Sequence, residues 1–125
     1  MYVLDTNAII YYTDGEPASV VVLERIFAED DQPVYVSTLT ELELFSYARI
    51  TREEERRLET FLEAVQILPV TSEIARLAAR MRRSYPSLKA FDSGIAATAI
   101  STNSALVARN ISDFRAVDRL SLMAI

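Results

Sequence analysis

The chain is 125 residues long, half of them apolar and a quarter charged, which is the size and mix of one globular domain. It has no cysteine and no histidine, which removes disulfides and thiolate nucleophiles and leaves zinc binding and imidazole acid–base chemistry without their usual groups. Net charge is −5, a poor footprint for nucleic acid, yet twelve of the thirteen cations are arginine, the side chain best suited to bidentate phosphate contacts.

Met1-Tyr2-Val3 lacks the basic start and long apolar core of a signal peptide, and no apolar run approaches about 20 residues. The expectation is a soluble cytoplasmic protein with no membrane span. Tyr2–Leu4 reads as a strand that stops at Asp5. Pro17 to Asp30 has helical period, with proline near its first turn. Val34–Val36 is a second strand, followed by a helix from Thr38 to Ala48. Thr51-Arg52-Glu53-Glu54 is a capping box, and Leu58, Phe61, Leu62 and Val65 form the apolar stripe of the helix it opens. Ile67–Leu68 is a third strand. Ser72 to Ser84 sets Ile74, Leu77, Ala78 and Met81 on one helical face. Asp92 to Ile100 is small and apolar almost throughout, the mark of a buried helix. Leu106–Val107 is the fourth strand, and Leu120–Ala124 reads as a fifth. Strands alternating with helices predict an α/β fold, a parallel sheet with helices on both faces, in a single domain spanning 1–125.

In such folds the carboxyl ends of strands and the starts of the following helices share one edge, where ligands bind. Four acids fall there: Asp5, Glu41, Asp92 and Asp113. Each has a structural explanation when taken singly. Asp92 and Asp5 suit helix N-caps, Thr38 to Glu41 matches a capping box, and Asp113 suits a turn. Taken together, four anions repel, and the cluster demands a proton or a cation. An all-oxygen anionic pocket fits Mg²⁺ or Mn²⁺, and metal-activated water then serves as nucleophile in a chain without histidine.

Four stretches carry a family resemblance in order and spacing: "VLDTN" at the start, "VSTLTELELFS" at 36–46, "FDSGIAATA" at 91–99 and "LVARNISDF" at 106–114. The chain resembles the PIN domain, and more narrowly the VapC-type toxin ribonucleases of prokaryotic toxin–antitoxin pairs. The resemblance implies a three-layer α/β/α fold with a central parallel sheet of about five strands. It implies metal-dependent endonucleolytic cleavage of RNA to 5′-phosphate and 3′-hydroxyl ends, with one or two Mg²⁺ or Mn²⁺ ions. The family's acidic quartet is expected at Asp5, Glu41, Asp92 and Asp113, as metal ligands and catalytic groups. Thr6, Asn7 and Asn110 match polar positions that touch substrate beside the acids. Ala108 replaces a threonine the family often has there, and Phe91 a proline before the third acid. Apart from the resemblance, the candidate cations for the RNA backbone are Arg76, Arg80 and Arg83, spaced on one helical face that could equally be a solvated face balancing nearby glutamates, with Arg82, Lys89, Arg109 and Arg115; Arg109 and Arg115 are favoured because they flank Asn110 and Asp113 near the expected edge.

The resemblance also implies a homodimer and a cognate VapB-type antitoxin. Ile9 to Tyr12, Val20 to Val22, Phe27 and Phe45 offer apolar material for such contacts, or for ordinary core. Haloacid-dehalogenase phosphatases need a second acid where Asn7 stands, and receiver domains need a late lysine that is absent after Lys89. The integrase and RNase H group begins with antiparallel strands. The rival from another class is a non-catalytic α/β binding module whose four acids are helix caps.

Overall fold

A computed structural model describes residues 1–125. Five short strands, β1 (Tyr2–Leu4), β2 (Val34–Ser37), β3 (Gln66–Leu68), β4 (Ala105–Ala108) and β5 (Ser121–Ala124), pair in parallel in the order β3-β2-β1-β4-β5. All five apolar runs become strands, each within a residue or two of its expected bounds. β1 is central, and the chain fills one side of it before crossing to the other. The switch point therefore lies between β1 and β4, the place where such sheets bind ligands.

The helices are α1 (Thr6–Thr13), α2 (Pro17–Phe27), α3 (Thr38–Leu44), α4 (Arg52–Glu63), α5 (Ser72–Ser84) and α6 (Ala90–Ser101). Alternating side chains on the buried strands divide the core in two. Val3, Leu106 and Ala108 face one way, onto Ile74, Ala78 and Met81 of α5 and Ile95, Ala96 and Ala99 of α6. Leu4, Val36 and Val107 face the other way, onto Ile9 of α1, Leu23 and Ile26 of α2, Leu44 of α3 and Phe61 of α4. The result is the expected three-layer α/β/α arrangement.

Local signals set most helix ends. Thr51 and Glu54 make the reciprocal capping box that opens α4. Thr71 caps α5 by accepting from the Ile74 amide. α1 stops at Gly15, whose φ of +81° permits the left-handed turn; the amides of Gly15 and Glu16 then satisfy the carbonyls of Tyr12 and Tyr11. Three expectations are corrected. α2 ends at Phe27 instead of Asp30, giving way to a polar turn through Glu29, Asp30 and Asp31. α3 is shorter than expected and is capped by Ser37, whose hydroxyl accepts from the Leu39 amide, so Thr38 and Glu41 form no capping box. α6 begins at Ala90, placing Asp92 inside its first turn. At Gly94, α6 has no side chain, and Leu39 Cδ1 of α3 fills the space one would need. That close approach draws α3 against the amino end of α6.

Phe114 follows Asp113 directly and is 1% exposed within the α5–α6 side of the core. It pins an acid-bearing turn to the fold. Phe114→Ala is expected to destabilise the protein by about 3–5 kcal/mol, read as a lower urea midpoint with an unchanged m-value.

Candidate active site at the carboxyl edge of the sheet

Asp5 is the first residue after β1, and its amide donates to the Val107 carbonyl of β4 at 2.9 Å. This bond fixes the acid over the β1–β4 switch point. Asp5 stands at the N-cap position of α1 but makes no side-chain capping bond there. It is only 7% exposed. Asp113 ends the 3-10 turn Ile111–Asp113 that follows β4, and it is exposed. Asp92 lies in the first turn of α6, which runs back toward the amino edge of the sheet.

Of the two glutamates on α3, the structure brings Glu43 to the other acids and not the expected Glu41. Thr6 Oγ1 donates to Glu43 Oε1 at 2.6 Å and lies 3.4 Å from the Thr40 hydroxyl. Glu41 instead lines a cleft with Glu55, Glu59 and Glu63 of α4. The buried face of α3 carries Thr40 and Leu44. At about 100° per residue, Glu41 and Glu43 flank that face from opposite sides, each roughly 80° from its centre. Either could therefore meet the edge, and the Thr6 bond selects Glu43.

Other expected residues divide. Thr6 is buried and donates to Glu43, so it positions that acid. Asn7 is exposed in the first turn of α1, beside Asp5. Asn110 is exposed; it donates to Asp113 Oδ2 at 3.5 Å and accepts from the Ser112 hydroxyl at 2.6 Å, bracing the acid-bearing turn. Arg109, expected on the RNA backbone, makes contacts within the fold. It pairs with Glu16 at 3.3 Å, donates to the Ile125 carbonyl at 3.0 Å, and lies 4.9 Å from the centre of the Tyr11 ring. Arg115 is exposed and unpaired.

The acids sense one another. Burial pushes the Asp5 carboxyl up from 3.8 to about 6; the Thr6 amide opposes this, while Asp92, Glu43 and Asp113 add to it. Asp92 is raised by burial, then by Asp113 and Glu43, with Lys89 opposing. No arginine or lysine forms an ion pair with any of the four. No three of the carboxylates stand close enough together to hold a metal ion between them. The set is anionic and all-oxygen, a donor chemistry that suits a hard dication keeping part of its water shell.

Because Asp5 holds its proton more tightly when folded, its contribution favours folding most below pH 4 and is lost as pH rises through 6. Above that, its charge costs about 3 kcal/mol for the shift from 3.8 to about 6. Asp5→Asn is expected to raise the melting temperature at pH 8 in chelator, and most of that gain should vanish at pH 4. A gain of equal size at both pH values would contradict the assignment.

Comparison with known proteins identifies the family and the fold. The PIN domain family model matches residues 2–120. Ribonuclease VapC19 of Mycobacterium tuberculosis is 33% identical over 118 residues, covering 91% of this chain and 92% of that protein. Among solved structures, a toxin–antitoxin complex from Klebsiella pneumoniae has a chain that is 26% identical, with a TM-score of 0.81 and full coverage of both chains. VapBC2 from Rickettsia felis, bound to a promoter DNA fragment, shares the fold at a TM-score of 0.86 and 23% identity, over 99% of this chain and 98% of that one. On its sequence, its sheet order and the acids at its switch point, the chain belongs to the PIN-domain family and, within it, to the VapC-type ribonucleases.

Proposed function

We propose that the protein is a Mg²⁺- or Mn²⁺-dependent endoribonuclease, the toxin of a VapBC-type pair, acting in the cytoplasm. One observation supports the metal dependence: Asp5, Glu43, Asp92 and Asp113 lie within electrostatic reach of one another, none is in an ion pair, and only Lys89, acting on Asp92, opposes their charge. Asp5, Asp92 and Asp113 would hold the ion, with Glu43 beside them. A bound dication supplies charge neutralisation at the phosphodiester and lowers the pKa of water.

The protein's own groups do the rest. Asp5 is fixed by the β1–β4 bond and its buried setting, so its carboxylate needs little reorganisation. Thr6 fixes the rotamer of Glu43, which leaves that carboxylate aimed at the shared edge to orient a water or take its proton. Asn7 lies exposed beside Asp5, at hand for the sugar–phosphate strand. With no histidine in the chain, the 2′-hydroxyl has no imidazole base to activate it. Water attacks phosphorus in line with the leaving 3′-oxygen, giving 5′-phosphate and 3′-hydroxyl ends.

The partner reading rests on the helical layer opposite α5 and α6. Tyr12, Phe27 and Phe61 stack with ring centres 5.4–6.3 Å apart, and a cleft of about 610 Å³ opens over them between α2 and α4. Val20 and Thr60 also line it, with Glu24, Arg56 and Arg57 at its polar rim. Such a groove fits an amphipathic antitoxin helix. Ile10, Tyr11 and Val21 are exposed apolar residues of the same layer, whereas Ile9 is fully buried core. Leu42, Tyr47 and Phe91 are further exposed apolar groups available to a homodimer contact.

The test is cleavage of purified total RNA with Mg²⁺ or Mn²⁺, with the ends mapped. Asp5→Asn is expected to lower kcat at least about 100-fold, since an ion site contributes several kcal/mol to the transition state. Glu43→Gln should fall about 10- to 100-fold, while Glu41→Gln stays within about twofold of wild type. A larger loss at Glu41 than at Glu43 would refute the assignment of the fourth acid.

A further inference from the structure

Charge is unevenly divided along the chain. Residues 76–125 carry eight of the thirteen cations but, of the eighteen acids, only Asp92, Asp113 and Asp118. The basic part includes the carboxyl half of α5 and the segment between Asp113 and β5, where Arg115 and Arg119 outnumber Asp118. That segment has a direction. It leaves the carboxyl edge of the sheet at Asp113 and returns to the amino edge, where β5 starts at Ser121. Arg115 and Arg119 are exposed along it. The Tyr85 hydroxyl accepts from the Asp118 amide at 3.4 Å and so ties the segment to the end of α5.

At that tie a cleft of about 190 Å³ is lined by Arg80 and Ser84 of α5, with Leu77, Tyr85, Val117 and Arg119. Arg119 also borders a second cleft with Asn103, Ser104 and Ser121. Neither Arg80 nor Arg119 makes an ion pair or a side-chain hydrogen bond. Arg82 and Arg109, by contrast, are both bonded to backbone carbonyls. Two guanidinium groups sharing one cleft without an anion repel each other, and an oxyanion relieves that repulsion with bidentate bonds. The sheet is thin. A four-residue strand spans roughly 13 Å, so a polynucleotide leaving the acids along the 113–119 segment reaches the Arg80–Arg119 cleft within a few nucleotides.

We propose that the Arg80–Arg119 cleft is a second phosphate-binding site, which grips the RNA backbone a few nucleotides away from the acids. The assignment rests on the ribonuclease reading above. The site contributes affinity to longer strands and nothing to the bond-breaking step, because it stands at the opposite edge of the sheet from the four carboxylates.

The test compares wild type, Arg80→Ala/Arg119→Ala and Arg80→Lys/Arg119→Lys on two RNAs sharing one cleavage site, a long strand and one trimmed to a few nucleotides around it. On the long RNA the alanine pair should raise KM about tenfold at unchanged kcat, and it should flatten the log–log salt dependence by about 1–2 for two lost phosphate contacts. The trimmed RNA should be cut equally by all three proteins, and the lysine pair should recover most of the salt slope. Binding of the long RNA, measured in the Asp5→Asn background, gives a readout independent of cleavage. Unchanged KM, salt slope and binding in the alanine pair would overturn the site even if cleavage is robust. If wild type cuts no RNA but the alanine pair still weakens binding, the ribonuclease reading fails and the cleft stands. A loss confined to inorganic phosphate binding would assign the cleft to a free anion and overturn the proposal.

Discussion

The structure depends on the central position of β1 and on the bond from the Asp5 amide to the Val107 carbonyl. A strand flanked in parallel on both sides buries both its faces, so Val3 and Leu4 anchor opposite halves of the core. The chain must then leave the sheet at its middle, and the first residue to do so is a carboxylate. Burial and charge repulsion both disfavour ionised Asp5. A fold selected for stability alone would place a neutral cap there. The strain is concentrated where the chemistry is, and the two apolar layers offset it.

The other acids reach this point through ordinary packing. α6 arrives with small residues, and the gap at Gly94 lets Leu39 bring α3 alongside. Phe114 anchors the turn that carries Asp113, and Asn110 braces it from within. Thr6 links the start of α1 to Glu43. No acid is placed by a long or flexible loop. The site is assembled from the N-cap of α1, the last turn of α3, the first turn of α6 and a 3-10 turn, which keeps its geometry tied to the core.

Much of this was legible in the residues. Five apolar runs marked the strands, and the Thr51–Glu54 box and the Ser72–Ser84 stripe marked two helices almost to the residue. Asp5, Asp92 and Asp113 could be placed because each stands at or shortly after a strand end or at a helix start. Glu43 was harder. Two glutamates flank the buried face of α3 symmetrically, and only the rotation of that helix, set by Thr6 thirty-seven residues earlier, distinguishes them. The contacts of Arg109 were hidden for a similar reason. Its partners Tyr11, Glu16 and Ile125 are distant in sequence, and nothing local shows that its charge is already matched.

The borders of the sheet carry a consequence for assembly. β3 offers three residues, Gln66–Leu68, and is followed at once by Pro69, which has no amide hydrogen to lend. β5 offers four, and the carbonyl of the residue after it is claimed by Arg109. An incoming strand would find too short a template on either margin to gain a ladder of useful length. Association with another polypeptide is thereby steered onto the helical flanks, and the ribbon-to-ribbon stacking that leads to fibrils is discouraged at its starting point.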